Sequence, residues 1–363
     1  MILQNRLELL KLLTSHWKTI FGNFNNSIGY IGWVGHRNLG DEAMLQSFTK
    51  LFSYYTIFPY SMINNFPRIE ERIRPKRLRA IALGGGTLIN SSGSFKNFIS
   101  TWQNYPDSPK FTFCSGVKNP MFWNTVSGWN NDISEWTQYL DKCEYVSVRG
   151  PLSKKILDDA GFKRAKIIGD LALSLADNEI SDKSKKKILG INIGSSGGKM
   201  WGSEDILLDT MSNLIKILIR KNWDITLFPV WDKDVTIIET LSRRIGCPLR
   251  IFYGYKSIKR TLSFLRSCDA IIAMKLHAVV MAHCAYTPAI MLEYRPKCLD
   301  YMMSVGMEKY NIRTDKIESN EIEDLLCELY ANSLQYQHRL KKLIDQYKDL
   351  QTKAKQEIYK FLS

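Results

Sequence analysis

The sequence predicts an α/β protein of two Rossmann-like domains whose parallel sheets face each other across a cleft. Three observations support this prediction. After Asn26, short apolar runs alternate with stretches of helical periodicity, which is typical of parallel sheets built from βαβ units. A polar, lysine-rich segment at 181–187 interrupts this alternation, which then restarts. The chain of 363 residues is also longer than one hydrophobic core usually organises.

The first 26 residues differ from the rest of the chain. Apolar side chains recur at steps of three and four residues from Ile2 to Phe21, with basic residues between them, and predict an amphipathic helix within 1–26. Two interpretations are open. Residues 1–24 contact the inner face of the cell membrane, or their apolar face packs on the protein itself or on a second subunit.

The first domain, 27–180, contains six predicted strands. They are expected at Ile28–Val34, Tyr54–Pro59, Arg79–Leu83, Phe111–Ser115, Tyr145–Val148 and Lys166–Ile168. Helical periodicity lies between them, as at Glu42–Phe52 and Pro151–Ala160. After the linker, 181–187, the second domain, 188–317, has predicted strands at Ile188–Ile193, Ile225–Val230, Arg250–Phe252, Ala270–Ala273 and Ala289–Leu292. Residues 318–363 have the pattern of C-terminal helices.

The composition excludes several classes of protein. Hydrophobic residues make up 45% of the chain and charged residues 24%, as in ordinary globular proteins. The seven cysteines contain no CxxC pair, which favours a reducing, cytoplasmic location over a disulfide or zinc framework. The net charge of +14 indicates an anionic partner. The basic residues are scattered, so nucleic acid is not expected; a non-catalytic protein that binds RNA or an acidic polymer is the remote alternative.

Glycine, cationic and acidic residues follow directly after the predicted strands. Ligands of open parallel sheets bind beyond the carboxyl ends of the strands, where glycine permits close approach and helix starts attract anions. The candidates in the first domain are His36, Asn38, Asp41, Gly85, Gly86 and Arg149. Those in the second domain are Gly194, Ser195, Lys275, His277 and Glu293. The cations on this rim predict a site for a doubly anionic small molecule.

Common motifs for metals and nucleotide cofactors are missing from the sequence. There is no GxGxxG, P-loop, HExxH or GxSxG pattern. The pair of carboxylates in Asp232-Lys233-Asp234 is interpreted as the start of a helix and not as a metal site. The sequence therefore predicts neither a metal nor a cofactor.

Several of these motifs together resemble the polysaccharide pyruvyl transferase family. They are Gly35-x-x-Asn38-x-Gly40-Asp41-Glu42-Ala43, Gly84-Gly85-Gly86-Thr87-Leu88, Ser147–Ser153 and Gly169-Asp170-Leu171-Ala172. In the second domain they are the block from Cys268-Asp269 to Lys275-Leu276-His277-Ala278 and the following Pro288, Glu293-Tyr294 and Lys297. The likeness extends over about residues 28–308 and depends on the order and spacing of the motifs.

The resemblance implies a GT-B-like architecture and a transferase that modifies a bacterial cell-surface polysaccharide precursor. Such an enzyme moves the pyruvyl group of phosphoenolpyruvate to a sugar as a ketal, and its acceptor is a lipid-linked or polymeric glycan. By resemblance, Asp41 orients or deprotonates the acceptor hydroxyl and His277 contacts the donor phosphate or donates a proton. The donor-binding set would be Arg149, Lys275, Gly85, Gly86, Gly194, Ser195 and Glu293, and the acceptor-binding set His36 and Asn38.

One departure from the family pattern keeps a second function open. Lys275 stands where the family usually has arginine, and lysine cannot form the bidentate clamp of a guanidinium on a carboxylate or phosphate. The alternative is a GT-B glycosyltransferase that uses a nucleotide-sugar donor for surface polysaccharide synthesis. In that case Lys275 and the loop at Gly194 would hold the diphosphate.

Overall fold

The computed structural model describes residues 26–60, 77–128, 132–177, 180 and 186–362. The predicted amphipathic helix and most of the predicted linker, 181–185, lie outside these ranges. Within them the chain is α/β with parallel sheets, so the predicted fold class is confirmed.

The first half contains eight strands in two parallel sheets. They are β1 (Ser27–Ile31), β2 (Thr56–Phe58), β3 (Ala80–Leu83), β4 (Gly86–Ile89), β5 (Lys110–Thr112), β6 (Ser115–Val117), β7 (Ser147–Val148) and β8 (Lys166–Ile167). The strand order is β2-β1-β3-β5 in one sheet and β4-β6-β7-β8 in the other. All eight are short, and most of their residues are buried because helices cover parallel sheets on both faces.

The prediction of one strand at Phe111–Ser115 is wrong, because the chain divides there into β5 and β6. Cys114, between the two, has a φ of 59°, which a continuous strand does not contain. A similar break at Gly84 and Gly85 separates β3 from β4. The two breaks lie side by side, because β3 pairs with β5 in one sheet and β4 pairs with β6 in the other.

The second half forms one six-stranded parallel sheet. Its strands are β9 (Ile188–Asn192), β10 (Asp224–Leu227), β11 (Arg250–Ile251), β12 (Ala270–Ala273), β13 (Ala289–Glu293) and β14 (Asn311–Arg313). The order β11-β10-β9-β12-β13-β14 is that of a dinucleotide-binding Rossmann fold. The sequence did not predict β14, because only Ile312 of its three residues is fully buried and no apolar run marks it.

Twelve α-helices connect and follow the strands of the described residues. They are α1 (Leu39–Leu51), α2 (Ser92–Asn104), α3 (Pro120–Ser127), α4 (Ser134–Leu140), α5 (Pro151–Asp159), α6 (Glu204–Arg220), α7 (Val235–Ile245), α8 (Ile258–Ser267), α9 (Leu276–Cys284), α10 (Pro296–Ser304), α11 (Ser319–Ala331) and α12 (Ser333–Leu362). Over the ranges that the structure describes, none of these helices is both long and apolar enough to cross a membrane.

The last helix, α12, returns to the first half and ties the two halves together. Arg79 donates to the carbonyl oxygen of Leu362 at 2.8 Å, and the rings of Phe52 and Tyr359 lie 6.0 Å apart. Closer to the sheet edge, Gln351 donates to the carbonyl oxygen of Asp170 at 3.0 Å. This contact places α12 against Asp170, which is one of the residues of the candidate site.

The loop after β1 also contacts the second half. The backbone N–H of Leu39 donates to the carbonyl oxygen of Val230 at 2.9 Å, and the indole of Trp231 donates to the carbonyl oxygen of His36 at 3.0 Å. Arg37 and Asp232 form an ion pair at 3.3 Å. These contacts bring the strand ends of both halves to one cleft.

Candidate functional site

In both halves, candidate site residues lie at the point of the sheet where the strand order reverses. Such a reversal opens a crevice beyond the strand ends. In the first half it lies between β1 and β3, and a Cβ atom added to Gly86 would lie 3.8 Å from Oδ1 of Asp41. In the second half it lies between β9 and β12, which are followed by Ser195 and Lys275. The sequence search had selected residues at both crevices.

Asp41 is placed by the first turn of α1. Asn38 caps this helix, because its side-chain oxygen accepts from the N–H of Gly40 at 3.0 Å. Burial leaves Asp41 only 9% exposed and raises the pKa of its carboxyl to about 7; the positive Lys297 opposes this rise, and the negative Asp170 adds to it. Asp41 therefore exchanges a proton close to neutral pH.

His277 lies against the start of the same helix. A Cβ atom at position 40 would come within 1.9 Å of Nδ1 of His277, so only glycine leaves room for the ring. Burial lowers the pKa of His277 to about 4, against the opposing charge of Asp170. The imidazole is therefore neutral at pH 7, with Nε2 at 3.7 Å from Oδ2 of Asp170.

Arg149 follows β7 and is 1% exposed. Its Nη1 lies 3.7 Å from Oδ2 of Asp170 and its Nε lies 3.9 Å from Oδ2 of Asp300. Its Nη2 donates to the hydroxyl of Thr87 at 3.4 Å. A guanidinium has five N–H donors, and these contacts are long, so most of its hydrogen-bonding capacity is available to a ligand.

Three buried polar atoms of this cluster lack a hydrogen-bond partner among the described residues. They are Nε of Arg149, Oδ2 of Asp170 and Nε2 of His277. Buried polar atoms nearly always have partners, and exceptions need a reason. Oδ2 of Asp170 lies 3.7 Å from both Nε2 of His277 and Nη1 of Arg149, so the three side chains meet at Asp170. This is the arrangement expected of a site for a polar, charged ligand.

Lys297 supplies a further positive charge to this cluster. It lies in the first turn of α10, and its charge lowers the pKa of Asp41. Burial, together with the charges of Arg295 and Arg149, lowers the pKa of Lys297 itself to about 8. Sequence reasoning did not select Lys297 or Asp170 as site residues. Their position just after a strand end was the signal that would have found them.

The structure places Lys275 in a second cluster. Its Nζ donates to the carbonyl oxygen of Ser195 at 2.5 Å and lies 3.2 Å from Oδ1 of Asp234, a fully buried carboxylate. A Cβ atom on Gly194 would lie 2.2 Å from Cε of Lys275, so this glycine makes room for the lysine. The charge of Lys275 is therefore compensated inside the second half. Nζ of Lys275 also lies over the ring of Tyr294, 5.6 Å from its centroid.

Two predicted donor-binding residues already have partners within the protein. The N–H of Gly85 donates to the hydroxyl of Tyr30 at 3.2 Å. Glu293 is buried and accepts from the indole of Trp201 at 3.3 Å and from Asn311 at 2.6 Å. A buried carboxylate repels an anionic donor, so the structure does not support donor binding by Glu293.

The predicted acceptor residues lie at an aromatic rim of the cleft. His36 stacks on Trp33 with 4.7 Å between ring centroids, and Trp33 contacts Trp231 at 5.2 Å. Trp33 is 43% exposed and offers an amphipathic surface to a ligand. Asn38 itself serves as a helix cap. The two tryptophans were missed by the sequence search because isolated aromatics in loops have no distinctive pattern.

The carboxylates of the DxD-like segment bind cationic and hydroxyl side chains. Asp232 pairs with Arg37 and Lys256 and accepts from Tyr255, while Asp234 pairs with Lys275. In the portion of the chain that the structure describes, no group of three His, Cys, Asp or Glu side chains is arranged to hold a metal ion.

The contact between Gly40 and His277 gives a first prediction. Gly40→Ala is expected to lower catalytic activity at least tenfold, since the new methyl group forces the imidazole away from Asp170. Gly93→Ala is the matched control, because nothing lies within 4 Å of its Cβ position in α2. Steady-state rates together with thermal unfolding of both variants test this. Equal rates for the two would show that the position of His277 is unimportant.

The sequence and the fold were compared with known proteins. Residues 38–296, more than half of the chain, match the family described as polysaccharide pyruvyl transferase. No curated protein matches. A TarM mutant from S. aureus in complex with UDP is similar, with 12% identity, coverage of 82% of this chain and 58% of that chain, and a TM-score of 0.51. This chain thus spans little more than half the length of TarM.

Two further solved structures match over nearly their whole length. MnaA from S. aureus, bound to UDP, shares 12% identity over 87% of this chain and 90% of its own, with a TM-score of 0.51. A UDP-glucosyltransferase from Polygonum tinctorium shares 11% identity over 93% and 98%, with a TM-score of 0.55. At such identities the likeness shows the fold alone, which is the GT-B fold of glycosyltransferases. With parallel sheets in both halves, strand-end motifs in the expected order and the match over 38–296, the chain belongs to the polysaccharide pyruvyl transferase family of transferase enzymes.

Proposed function

We propose that this enzyme transfers the pyruvyl group of phosphoenolpyruvate to a sugar of a bacterial surface polysaccharide precursor, forming a ketal and releasing phosphate. The observation that carries the proposal is the meeting of the buried Arg149 and Asp41 with the half-buried Lys297 and the neutral, half-buried His277 in one cluster. Two cations suit the carboxylate and the phosphate of the donor, and the two titratable groups suit proton transfer.

The donor would be held by the two cations of the cluster. Arg149 has unused N–H donors in the fork geometry that matches a carboxylate or phosphate. Lys297 is a compact charge beside Asp41 and suits the other anionic group. In this assignment Lys297 replaces Lys275, because Asp234 and the carbonyl oxygen of Ser195 already hold Lys275.

Proton transfer would use Asp41 as the acid and His277 as the base, the reverse of the roles that the family resemblance implied. A carboxyl with a pKa of about 7 keeps a proton that it can give to the methylene carbon of the donor. A neutral imidazole has one ring nitrogen that accepts a proton from an acceptor hydroxyl.

The overall reaction balances with two acceptor hydroxyls. The methylene carbon gains a proton, both hydroxyl oxygens bond to C2 of the donor, and the bond from C2 to the phosphate oxygen breaks. The two acceptor hydroxyls release two protons. One reprotonates Asp41, and the other leaves with the released phosphate. The acceptor sugar would lie against the rim of Trp33, His36 and Trp231. Contact of residues 1–24 with the membrane stays a prediction.

The donor is tested by incubating the purified enzyme with phosphoenolpyruvate and a lipid-linked glycan. Phosphate release that depends on both substrates, together with a ketal on the product by NMR, is the expected result. A protein that leaves phosphoenolpyruvate intact and consumes a UDP-sugar would instead be a glycosyltransferase. One observation favours this second function: the order of the sheet in the second half is that of nucleotide-binding Rossmann folds.

A further inference from the structure

The start of helix α5 in the first half is capped by a residue of the second half. The N–H groups of Leu152 and Ser153 donate to Oδ1 of Asp300 at 2.8 and 3.1 Å, and the hydroxyl of Ser153 donates to Oδ2 at 2.6 Å. The first N–H groups of a helix have no partner within it, and the side chain that precedes the helix usually accepts from them. Gly150 holds that position in α5 and has no side chain, so Asp300 in α10 supplies the cap.

Gly150 leaves room for this contact between the halves. A Cβ atom at position 150 would lie 2.3 Å from the carbonyl oxygen of Asp300 and 2.4 Å from its Oδ1. The hydrogen bonds continue into the sheet, because Oγ of Ser153 accepts from the N–H of Val117 at the end of β6, at 2.9 Å. Asp300 is 3% exposed, and hydrogen bonds to a carboxylate are among the strong ones. This carboxylate therefore fixes α5 and α10 to each other.

Both cations assigned to the donor lie next to this contact. Arg149 directly precedes Gly150, and its Nε lies 3.9 Å from Oδ2 of Asp300. Lys297 is three residues before Asp300 on α10, and residues at this spacing are neighbours on a helix surface. The distance between Arg149 in the first half and Lys297 in the second therefore depends on the hydrogen bonds of Asp300.

The contribution of Asp300 is mainly one of geometry. Its separation of 3.9 Å from Arg149 is long for an ion pair, and Asp170 also lies near the guanidinium, at 3.7 Å. The hydrogen bonds of Asp300 to the start of α5 are much shorter, at 2.6–3.1 Å. Binding groups must be held to within about 0.5 Å of their productive position, and residues that support them do this work.

We propose that Asp300 is a positioning residue of the donor site: by capping α5 from the other half, it holds the guanidinium of Arg149 at the distance from Lys297 that the two anionic groups of the donor require. This inference rests on the proposed function for the identity of the donor. Asp300 acts through Arg149 and not by contact with the donor. Without the cap, Arg149 would form longer and weaker hydrogen bonds with the donor, and acceptor binding would stay unchanged.

Three variants separate this role from a general effect on stability. Asp300→Ala removes all three hydrogen bonds, whereas Asp300→Asn keeps an oxygen that accepts from both backbone N–H groups. Asp269→Ala is the matched control. Asp269 is 2% exposed and accepts from the N–H of Ile188 at 2.9 Å, but it precedes β12 and so lies at the edge of the sheet opposite to the site. Calorimetry with phosphoenolpyruvate and with inorganic phosphate measures anion binding without turnover, and thermal unfolding measures stability.

Asp300→Ala should bind both anions about tenfold more weakly and show a donor KM raised to match, as for one lost charge-assisted hydrogen bond, with an unchanged acceptor KM. Asp300→Asn should regain most of this affinity. Asp269→Ala should lose stability but bind anions as the wild type does. Normal anion binding by Asp300→Ala, or equal losses in Asp300→Ala and Asp269→Ala, would overturn the positioning role.

Ser153→Ala is the milder variant if Asp300→Ala is too unstable to purify. It removes the hydroxyl that donates to Asp300 and keeps both backbone hydrogen bonds. We expect anion binding to weaken by about threefold, and unchanged binding would contradict the role of the cap.

A double-mutant cycle with Arg149→Lys shows whether Asp300 acts through Arg149. Because the bidentate clamp is already lost in Arg149→Lys, adding Asp300→Ala should weaken anion binding by less than about twofold. Losses that multiply in the double variant would show that Asp300 acts independently of Arg149, which contradicts the proposal.

Inorganic phosphate keeps this test distinct from that of the proposed function. If phosphoenolpyruvate is not a substrate, weaker phosphate binding in Asp300→Ala but not in Asp269→Ala still supports the positioning of Arg149. If the wild type forms the ketal while Asp300→Ala has a normal donor KM and normal phosphate binding, the proposed function stands and the role of Asp300 is disproved.

Discussion

Asp41→Asn is expected to lower the turnover of the enzyme by about 10²–10⁴-fold, the usual range for loss of a general acid. Asparagine keeps the size and polarity of the side chain but has no proton to give. In the wild type the rate should fall as pH rises through about 7, since only protonated Asp41 serves as the acid. In the variant the residual rate should not fall as pH rises through this range. Rate profiles between pH 5.5 and about 8.5 measure both effects.

Stability measurements separate a lost proton donor from a damaged fold. The raised pKa means that the folded state favours neutral Asp41; the resulting stabilisation is complete below about pH 4 and is lost as pH rises to about 7. Asp41→Asn should therefore be more stable than the wild type at pH 8, by up to a few kcal/mol, and less so at pH 5. Urea unfolding at both pH values tests this, with Asp159→Asn, at an exposed position of α5, as control. An active variant, or one destabilised at pH 8, contradicts the assignment.

Arg149→Lys is expected to reduce kcat/KM for the donor by about 10²–10³-fold. Lysine retains the positive charge between Asp170 and Asp300, so the fold should persist. It cannot present two parallel N–H donors, and the bidentate contact with the donor is lost. Donor KM and kcat, measured at saturating acceptor, report the effect.

Arg164→Lys is the matched control for this substitution. Arg164 lies in the same half but donates to backbone carbonyl oxygens, among them that of Asp141 at 2.7 Å. Arg164→Lys should change thermal stability slightly and donor KM less than twofold. Arg149→Met is the harsher variant, because it leaves two buried carboxylates without their cation and should lower stability as well as activity. A normal donor KM in Arg149→Lys would remove Arg149 from the donor site.

Much of the architecture could be read from local patterns. Alternation of short apolar runs with helical periodicity indicated the parallel sheets, and the strand ends indicated where ligands bind. Asp41, Arg149 and His277 were found in this way, and the structure brings all three to one cluster. The break at Cys114 was not visible, because it lies within an apolar run whose pattern is continuous. The end of a strand before Gly84 was predicted, but the short strand β4 that follows it was not.

The contacts of the charged side chains in the cleft could not be predicted from local patterns. Lys275 was expected beside the donor, yet Asp234 and the carbonyl oxygen of Ser195 bind it. In the proposed assignment Lys297 takes this role, because its charge acts on Asp41. Lys118 and Lys199, which belong to different halves, both lie over the ring of Trp123. Nothing in the spacing of these residues along the chain indicates such partnerships.

Residue periodicity and strand-end composition were thus sufficient for the fold class, for the edge of each sheet at which the candidate site lies and for three side chains of its cluster. The protonation states of Asp41 and His277 and the choice between Lys275 and Lys297 depended on the folded chain. The physical reason is that burial and Coulomb forces act through space over a few ångströms. The groups that exert them are far apart in sequence, as His36 and Trp231 are, 195 residues from each other.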